Sequence, residues 1–247
     1  MHRLVELGSW AVGDWLAVGS LLVNAVLGVV VAMDRLRRYH RSLRLRFLLP
    51  AKNVHVHIPS REVGRHRCVV AQEDYEAADV LRTVLLRHGY EVGIRYVSPE
   101  GKIDLDPNAS SIVVCGPKNS PIVRDFFNTL PDLRFVEEQG LWYFQDLQTG
   151  NKLLSPMDQE PAMDGDLAFL GRVRLPGVGQ ASAVLICGIH ALGSLGIATL
   201  LQSEARLDEL TKRVVGRPFY TLVRSRHSAD HGRILETDFY LAPRVFH

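Results

Sequence analysis

Two stretches of the chain share one local pattern: SIVVCGPKNSPIVRDFF, from Ser111 to Phe127, and AVLICGIHALGSLGIATLL, from Ala183 to Leu201. Each reads as an apolar strand, then Cys-Gly, a short loop and a helix. The loops carry side chains suited to chemistry. The first offers Gly116, Lys118, Asn119 and Ser120, and the second offers Gly188, His190, Gly193 and Ser194. A third junction of this kind is read where Glu73 and Asp74 follow the apolar run Arg67–Ala71. A loop lysine pairs with phosphate, and free N–H groups at a helix start favour anions. An imidazole near neutrality serves as a general base, and a carboxylate serves as base or nucleophile. Glu73 and His190 are therefore the catalytic candidates. Asp74, Gly116, Lys118, Asn119, Ser120, Gly188, Gly193 and Ser194 are the ligand-binding candidates.

Each has a structural reading beside the functional one. Ser120 before Pro121 is an N-cap with proline at the first helical position, and Asp74 is placed to cap its own helix. Gly116 and Gly188 permit a tight strand-to-helix turn, while Gly193 permits close helix–sheet packing. GIHALG lacks the G-x-G-x-x-G spacing, and GPKNSP lacks the G-x4-G-K-[ST] spacing. No G-x-S-x-G, H-E-x-x-H or kinase signature occurs.

MDQEPAMDGD holds Asp158, Glu160, Asp164 and Asp166 without calcium-loop spacing, and it reads as a solvated acidic loop. HSADHG holds His227, Asp230 and His231 without further zinc ligands, and it reads as a polar hairpin turn. Neither a metal nor a cofactor is expected. Cys68, Cys115 and Cys187 all lie in apolar runs, which reads as three reduced, buried thiols; the odd count argues against a disulfide framework.

The elements that must position these groups begin after Pro50. NVHVHI and RCVVA read as strands, the second short and buried. A helix follows over EDYEAADVLRTVLLRHG with Gly89 as its stop, then strands YEVGIRYV and SIVVC and the helix PIVRDFFNTL. A meander turns at Gln139-Gly140 and Thr149-Gly150, and it carries Trp142, Tyr143 and Phe144 on a strand able to cover the pocket. Strands DLAFLGRVRL and SAVLIC lead into one long helix, HALGSLGIATLLQSEARLDELTKRV. RPFYTLVRSRH and RILETDFYLAP close the chain as an antiparallel pair. The order predicts an α/β domain over residues 51–247: a Rossmann-like three-layer core with antiparallel hairpin additions. In such sheets ligands bind beyond the carboxyl ends of the parallel strands.

The preceding segment is different in kind. Trp15–Met33 contains no charged residue, and nineteen helical residues span about 28 Å, the thickness of a hydrocarbon core. Arg35, Arg37, Arg38, Arg41, Arg44 and Arg46 follow at once in a basic juxtamembrane segment, residues 34–50. This predicts one transmembrane helix at 15–33 in a cell membrane, a short extracytoplasmic N-terminus at 1–14, and a cytoplasmic C-terminal domain. A cleaved leader fits less well, since the N-terminus is barely basic and VVAMDRLRR is a poor cleavage site. Residues 1–46 carry a formal charge of +4 against +2 for the whole chain, so the rest is slightly acidic. The basic charge then serves anionic lipid headgroups, and no nucleic-acid partner is expected. Ser20, Asn24, Gly28 and Ala32 recur every fourth residue on one helix face, the kind of small face through which membrane helices self-associate.

On the strand–Cys-Gly-Pro-Lys-Asn-Ser-Pro stretch and the second Cys-Gly loop, residues 67–201 resemble in architecture the Rossmann-like nucleotide-sensing and nucleotide-cleaving modules of bacterial signalling and defence systems. These include the Toll/interleukin-receptor-like and deoxyribosyltransferase-like groups. The resemblance implies a carboxylate at the pocket, for which Glu73 is the nearest match, and it carries no diagnostic motif. The leading expectation is a membrane-anchored module that binds a nucleotide or another phosphorylated small molecule as a sensor. The alternatives are a hydrolase cleaving a glycosidic or phosphate bond and a ligand-free adaptor.

Overall fold

A computed structural model describes residues 12–63, 67–159, 161–177, 182–230 and 233–246. Most of the expected extracytoplasmic N-terminus, as well as Glu160 and His231, lies outside the described residues, and so do the side chains of Arg37, Arg38 and Arg41.

The chain divides into two compact units, residues 1–43 and 44–247. The first is helical. Helix α1 runs from Val12 to Leu48 and stops two residues before Pro50, where the proline ring disfavours helical backbone in the residue ahead of it. Its segment Ala17–Leu36 has a mean hydropathy of 2.0 and no buried residue, so it is long and apolar enough to cross a membrane.

The second unit begins at Arg44, seven residues earlier than the expected domain start at Ala51. The reason is the spacing of Leu45, Leu48 and Leu49, which share one helix face and are each at most 4% exposed. Burying each of them contributes roughly 1.5–3 kcal/mol.

Its elements follow in order. They are β1 (Asn53–Pro59), β2 (Arg61–Val63), β3 (Arg67–Val69), α2 (Gln72–Arg87), β4 (Glu91–Val97), β5 (Ser110–Val114) and α3 (Pro121–Thr129). Then come β6 (Leu133–Glu138), β7 (Leu141–Asp146), β8 (Lys152–Leu154), a single 3-10 turn (Pro156–Asp158), β9 (Gly165–Arg174), β10 (Ser182–Gly188) and α4 (Ala191–Gln202). The chain closes with α5 (Glu204–Val214), β11 (Phe219–His227), β12 (Ile234–Phe239) and β13 (Arg244–Val245).

The fold is mixed α/β around an eight-stranded sheet in the order β12-β11-β9-β10-β5-β1-β4, with β13 on β11. β10, β5, β1 and β4 are parallel neighbours. β9, β11 and β12 extend the sheet antiparallel from β10. Alternate residues of the central strands feed two cores. Val54, Val56, Ile58, Ile112, Val184 and Ile186 pack with α2, α4 and α5 on one face. Val113, Cys115, Leu185 and Cys187 pack with α3 and the β6–β7–β8 meander on the other.

Three expectations are corrected. RCVVA is not a buried strand of the sheet: among the described residues β3 pairs only with β2, in a ribbon where Cys68 is exposed. A short apolar run does not distinguish a core strand from an excursion, and here the core strand is β1. Cys68 is therefore not the buried thiol expected. The long helix is two helices. Ser203 breaks it, with extended backbone and a hydroxyl that accepts from Arg206 N–H at 3.4 Å.

Candidate functional site

Because β1, β5 and β10 are adjacent and parallel, their carboxyl ends meet at one sheet edge. A cleft of about 160 Å³ opens there. Pro59 lines it from the end of β1, Arg61 from the start of β2, and Asp74 from the first turn of α2. Cys115, Gly116, Lys118 and Asn119 come from the β5–α3 loop, and Gly188, Ile189, His190, Ala191 and Ser194 from the β10–α4 junction. The two Cys-Gly loops thus face one cavity, and Lys118 and His190 both line it.

Three of the ten candidates do not line the cleft. Glu73 is half-buried beside Asp74 and takes no part in the lining. Ser120 is buried and occupies the N-cap position, but its hydroxyl donates to Gly101 O at 2.7 Å. Gly193 donates its N–H to Asp166. Asp74, in turn, is no cap. The N-cap of α2 is Ala71, and the Asp74 carboxylate sits one turn in, buried, with no hydrogen-bond partner among the described residues. Burial pushes its pKa up to about 6; Arg61 opposes the rise and Glu73 adds to it.

Lys118 is held in place from behind. Its Nζ donates to Ile189 O at 2.6 Å and stands 5.3 Å from the centroid of the Trp142 ring on β7. Desolvation lowers its pKa, opposed by Cys187, Asp166 and Asp158. An ammonium with one donor committed keeps two for a ligand.

The acidic segment expected to be a solvated loop holds the architecture of the site. Asp158 Oδ2 lies 2.9 Å from His190 Nε2 and fixes the imidazole at the cleft wall. Asp166 is fully buried. Its Oδ1 accepts from Leu167 N–H at 2.8 Å, and its Oδ2 accepts from the N–H groups of His190 at 3.0 Å and Gly193 at 2.7 Å. Burial still pushes its pKa up to about 6, against the opposing effect of His190 and of bonds from the Leu167 and His190 N–H groups. The anion position at the start of α4 is thus filled by the chain's own carboxylate, which takes the Gly193 N–H. The antiparallel register of β9 on β10, with Ala168 opposite Gly188, brings Asp166 here. Arg61, Asp158 and Asp166 are the site residues missed from sequence. The one available signal was an acid at the head of the apolar run DLAFL.

Gly188 is required by close approach: a Cβ there would sit 2.0 Å from His190 O and 2.9 Å from Ser194 N. Burial drives the Cys115 thiol up to about 12 and Cys187 well above its ordinary range, so both are protonated at neutral pH. Among the described residues, no group of three His, Cys, Asp or Glu could hold a metal ion.

Comparison with protein-family models and with curated protein sequences finds no match. What fold and site define is a mixed α/β domain, with one N-terminal helix able to span a membrane and a small cleft of mixed charge at the carboxyl edge of its parallel strands.

Proposed function

We propose that the chain is a membrane-tethered cytoplasmic domain that binds a nucleotide or another phosphorylated, hydroxyl-bearing small molecule. The observation that carries this reading is the convergence on one cleft of Arg61, Lys118 and the Asp74 carboxylate, which has no hydrogen-bond partner among the described residues. The two cations suit phosphate oxygens, and an unpaired acceptor suits sugar hydroxyls. At about 160 Å³ the cleft is smaller than the roughly 300–1,000 Å³ that encloses a drug-sized ligand. It takes the phosphate and the adjoining polar portion, and the rest of the ligand projects from the open mouth. The arginines after Met33 favour the cytoplasmic side for the domain, and the parallel β10-β5-β1-β4 run with its crossover helix α2 supports the Rossmann-like reading.

The test is thermal unfolding of the full chain in mild detergent against a panel of nucleotides and sugar phosphates. A ligand at 100 times its Kd stabilises by about 2.7 kcal/mol, which is a rise in Tm of roughly 5–10 °C for a chain of this size. Lys118→Ala removes a charge-assisted hydrogen bond of about 1.5–3 kcal/mol, so it lowers affinity roughly 10- to 100-fold while leaving the fold intact. No shift across the panel sinks the reading.

A second reading rests on the same lining. Asp74 and the Asp158-held His190 share the cleft, as an acid–base pair for hydrolysis would. Here Asp74 takes the role that Glu73 held in the sequence. Product analysis after prolonged incubation separates the two: a sensor returns its ligand intact.

A further inference from the structure

β4 is the last strand of the large sheet, with β1 on one side and no strand on the other among the described residues. Glu91 N–H donates inward to Lys52 O at 2.9 Å. In an extended strand successive residues turn their backbone groups to opposite sides, so Glu91, Gly93 and Arg95 face β1. Val92, Ile94 and Tyr96 then present their N–H and C=O groups to the open edge, which is a template for another strand.

The side chains select which strand fits. Glu91 and Arg95 are exposed, lie on the same face, and flank Gly93 symmetrically. Suppose an antiparallel copy of β4 is laid alongside with Gly93 opposite Gly93. Glu91 then stands opposite Arg95 twice, and Val92 pairs with Ile94 at the hydrogen-bonded positions. Moving the register by two residues in either direction separates both ion pairs. The Glu91 carboxylate has no partner among the described residues of its own chain. Among the described residues Arg95 engages only Nη2, on His55 Nε2 at 3.2 Å, which leaves further guanidinium donors for a second chain.

Gly93 supplies an independent argument. Glycine weakens a strand interior and often marks the close approach of another backbone. Its own fold does not call for glycine here: a Cβ would meet only His55 Cδ2, at 3.5 Å. At a non-hydrogen-bonded antiparallel pair the Cα atoms come to about 4.5 Å, the closest approach in a sheet.

We propose that two copies of the chain pair antiparallel through β4 about a twofold axis at Gly93, joining two sheets into one. The proposal is independent of what the cleft binds.

The test is disulfide trapping of the full chain in membranes, in a Cys68→Ser background that removes the exposed native thiol. Gly93→Cys places two thiols at the axis within reach of a disulfide. Mild oxidation with diamide is expected to give a covalent dimer that dithiothreitol reverses. Leu235→Cys, exposed on β12 at the far edge of the sheet, is expected to give none. Adding Glu91→Arg sets two guanidinium groups against each other on either side of the axis, since the introduced one faces Arg95 of the other copy, and it abolishes trapping. Arg95→Glu on top of it reverses both ion pairs and restores trapping. Circular dichroism confirms that each variant is folded. Trapping no stronger than at Leu235, trapping that survives Glu91→Arg, or a charge swap that fails to restore it overturns the proposal.

Discussion

Asp74→Asn is expected to make the protein more stable and less able to bind. Asp74 is 7% exposed, its carboxylate makes no hydrogen bond among the described residues, and burial lifts its pKa from 3.8 to about 6. The folded value lies above the unfolded one, so the folded chain holds the proton more tightly. Stability linked to Asp74 is therefore full below about pH 4 and is lost as pH rises through 6. At about 1.4 kcal/mol per pKa unit, ionised Asp74 costs the fold roughly 3 kcal/mol at neutral pH. Asparagine keeps the shape and never ionises. Urea unfolding of the full chain in detergent, followed by tryptophan fluorescence, measures the difference. The variant should gain about 3 kcal/mol at pH 7.5, and the gap should close toward pH 3.5. Asp166 titrates in both proteins and cancels in the comparison. In the same preparation, affinity for a hydroxyl-bearing phosphorylated ligand should fall about tenfold, the loss of one charged hydrogen bond. A variant no more stable than wild type at pH 7.5 refutes the reasoning, because Asp74 would then be ionised at no cost to the fold and its presence would need no ligand.

Two further outcomes follow from the same geometry. Gly188→Ala drives a methyl group into His190 O, 2.0 Å away on a backbone that cannot yield. It should abolish the folded state, read as loss of the cooperative thermal transition. Native protein should react with one equivalent of a thiol reagent at Cys68, and protein in denaturant with three, because Cys115 and Cys187 are buried and protonated.

The doubled Cys-Gly junctions were legible because each is a local event. An apolar run, a glycine and a polar loop must become strand, turn and helix wherever they lie in the sheet. That was enough to bring Lys118 and His190 to one edge, given parallel neighbours. Asp166 was not legible, because its place beside His190 depends on β9 pairing antiparallel with β10, a contact between segments whose spacing carries no such instruction. Arg61 was missed for a related reason. The β2–β3 ribbon interrupts the usual strand-to-helix passage between β1 and α2, so the residue entering the cleft belongs to the ribbon and not to the expected strand Arg67–Ala71. The helix break at Ser203 was hidden by continuous apolar periodicity on both sides of a residue that either continues a helix or caps the next.

Calorimetric titration of the full chain with the ligand that raises Tm most, run side by side on wild type and Lys118→Ala, tests the central claim most directly. One site per chain on wild type, weakened roughly 10- to 100-fold in Lys118→Ala, with a cooperative thermal transition kept by the unliganded variant, is the result predicted. Equal affinity for the two proteins would contradict it, because the ligand would then sit somewhere other than the cleft that Lys118 lines.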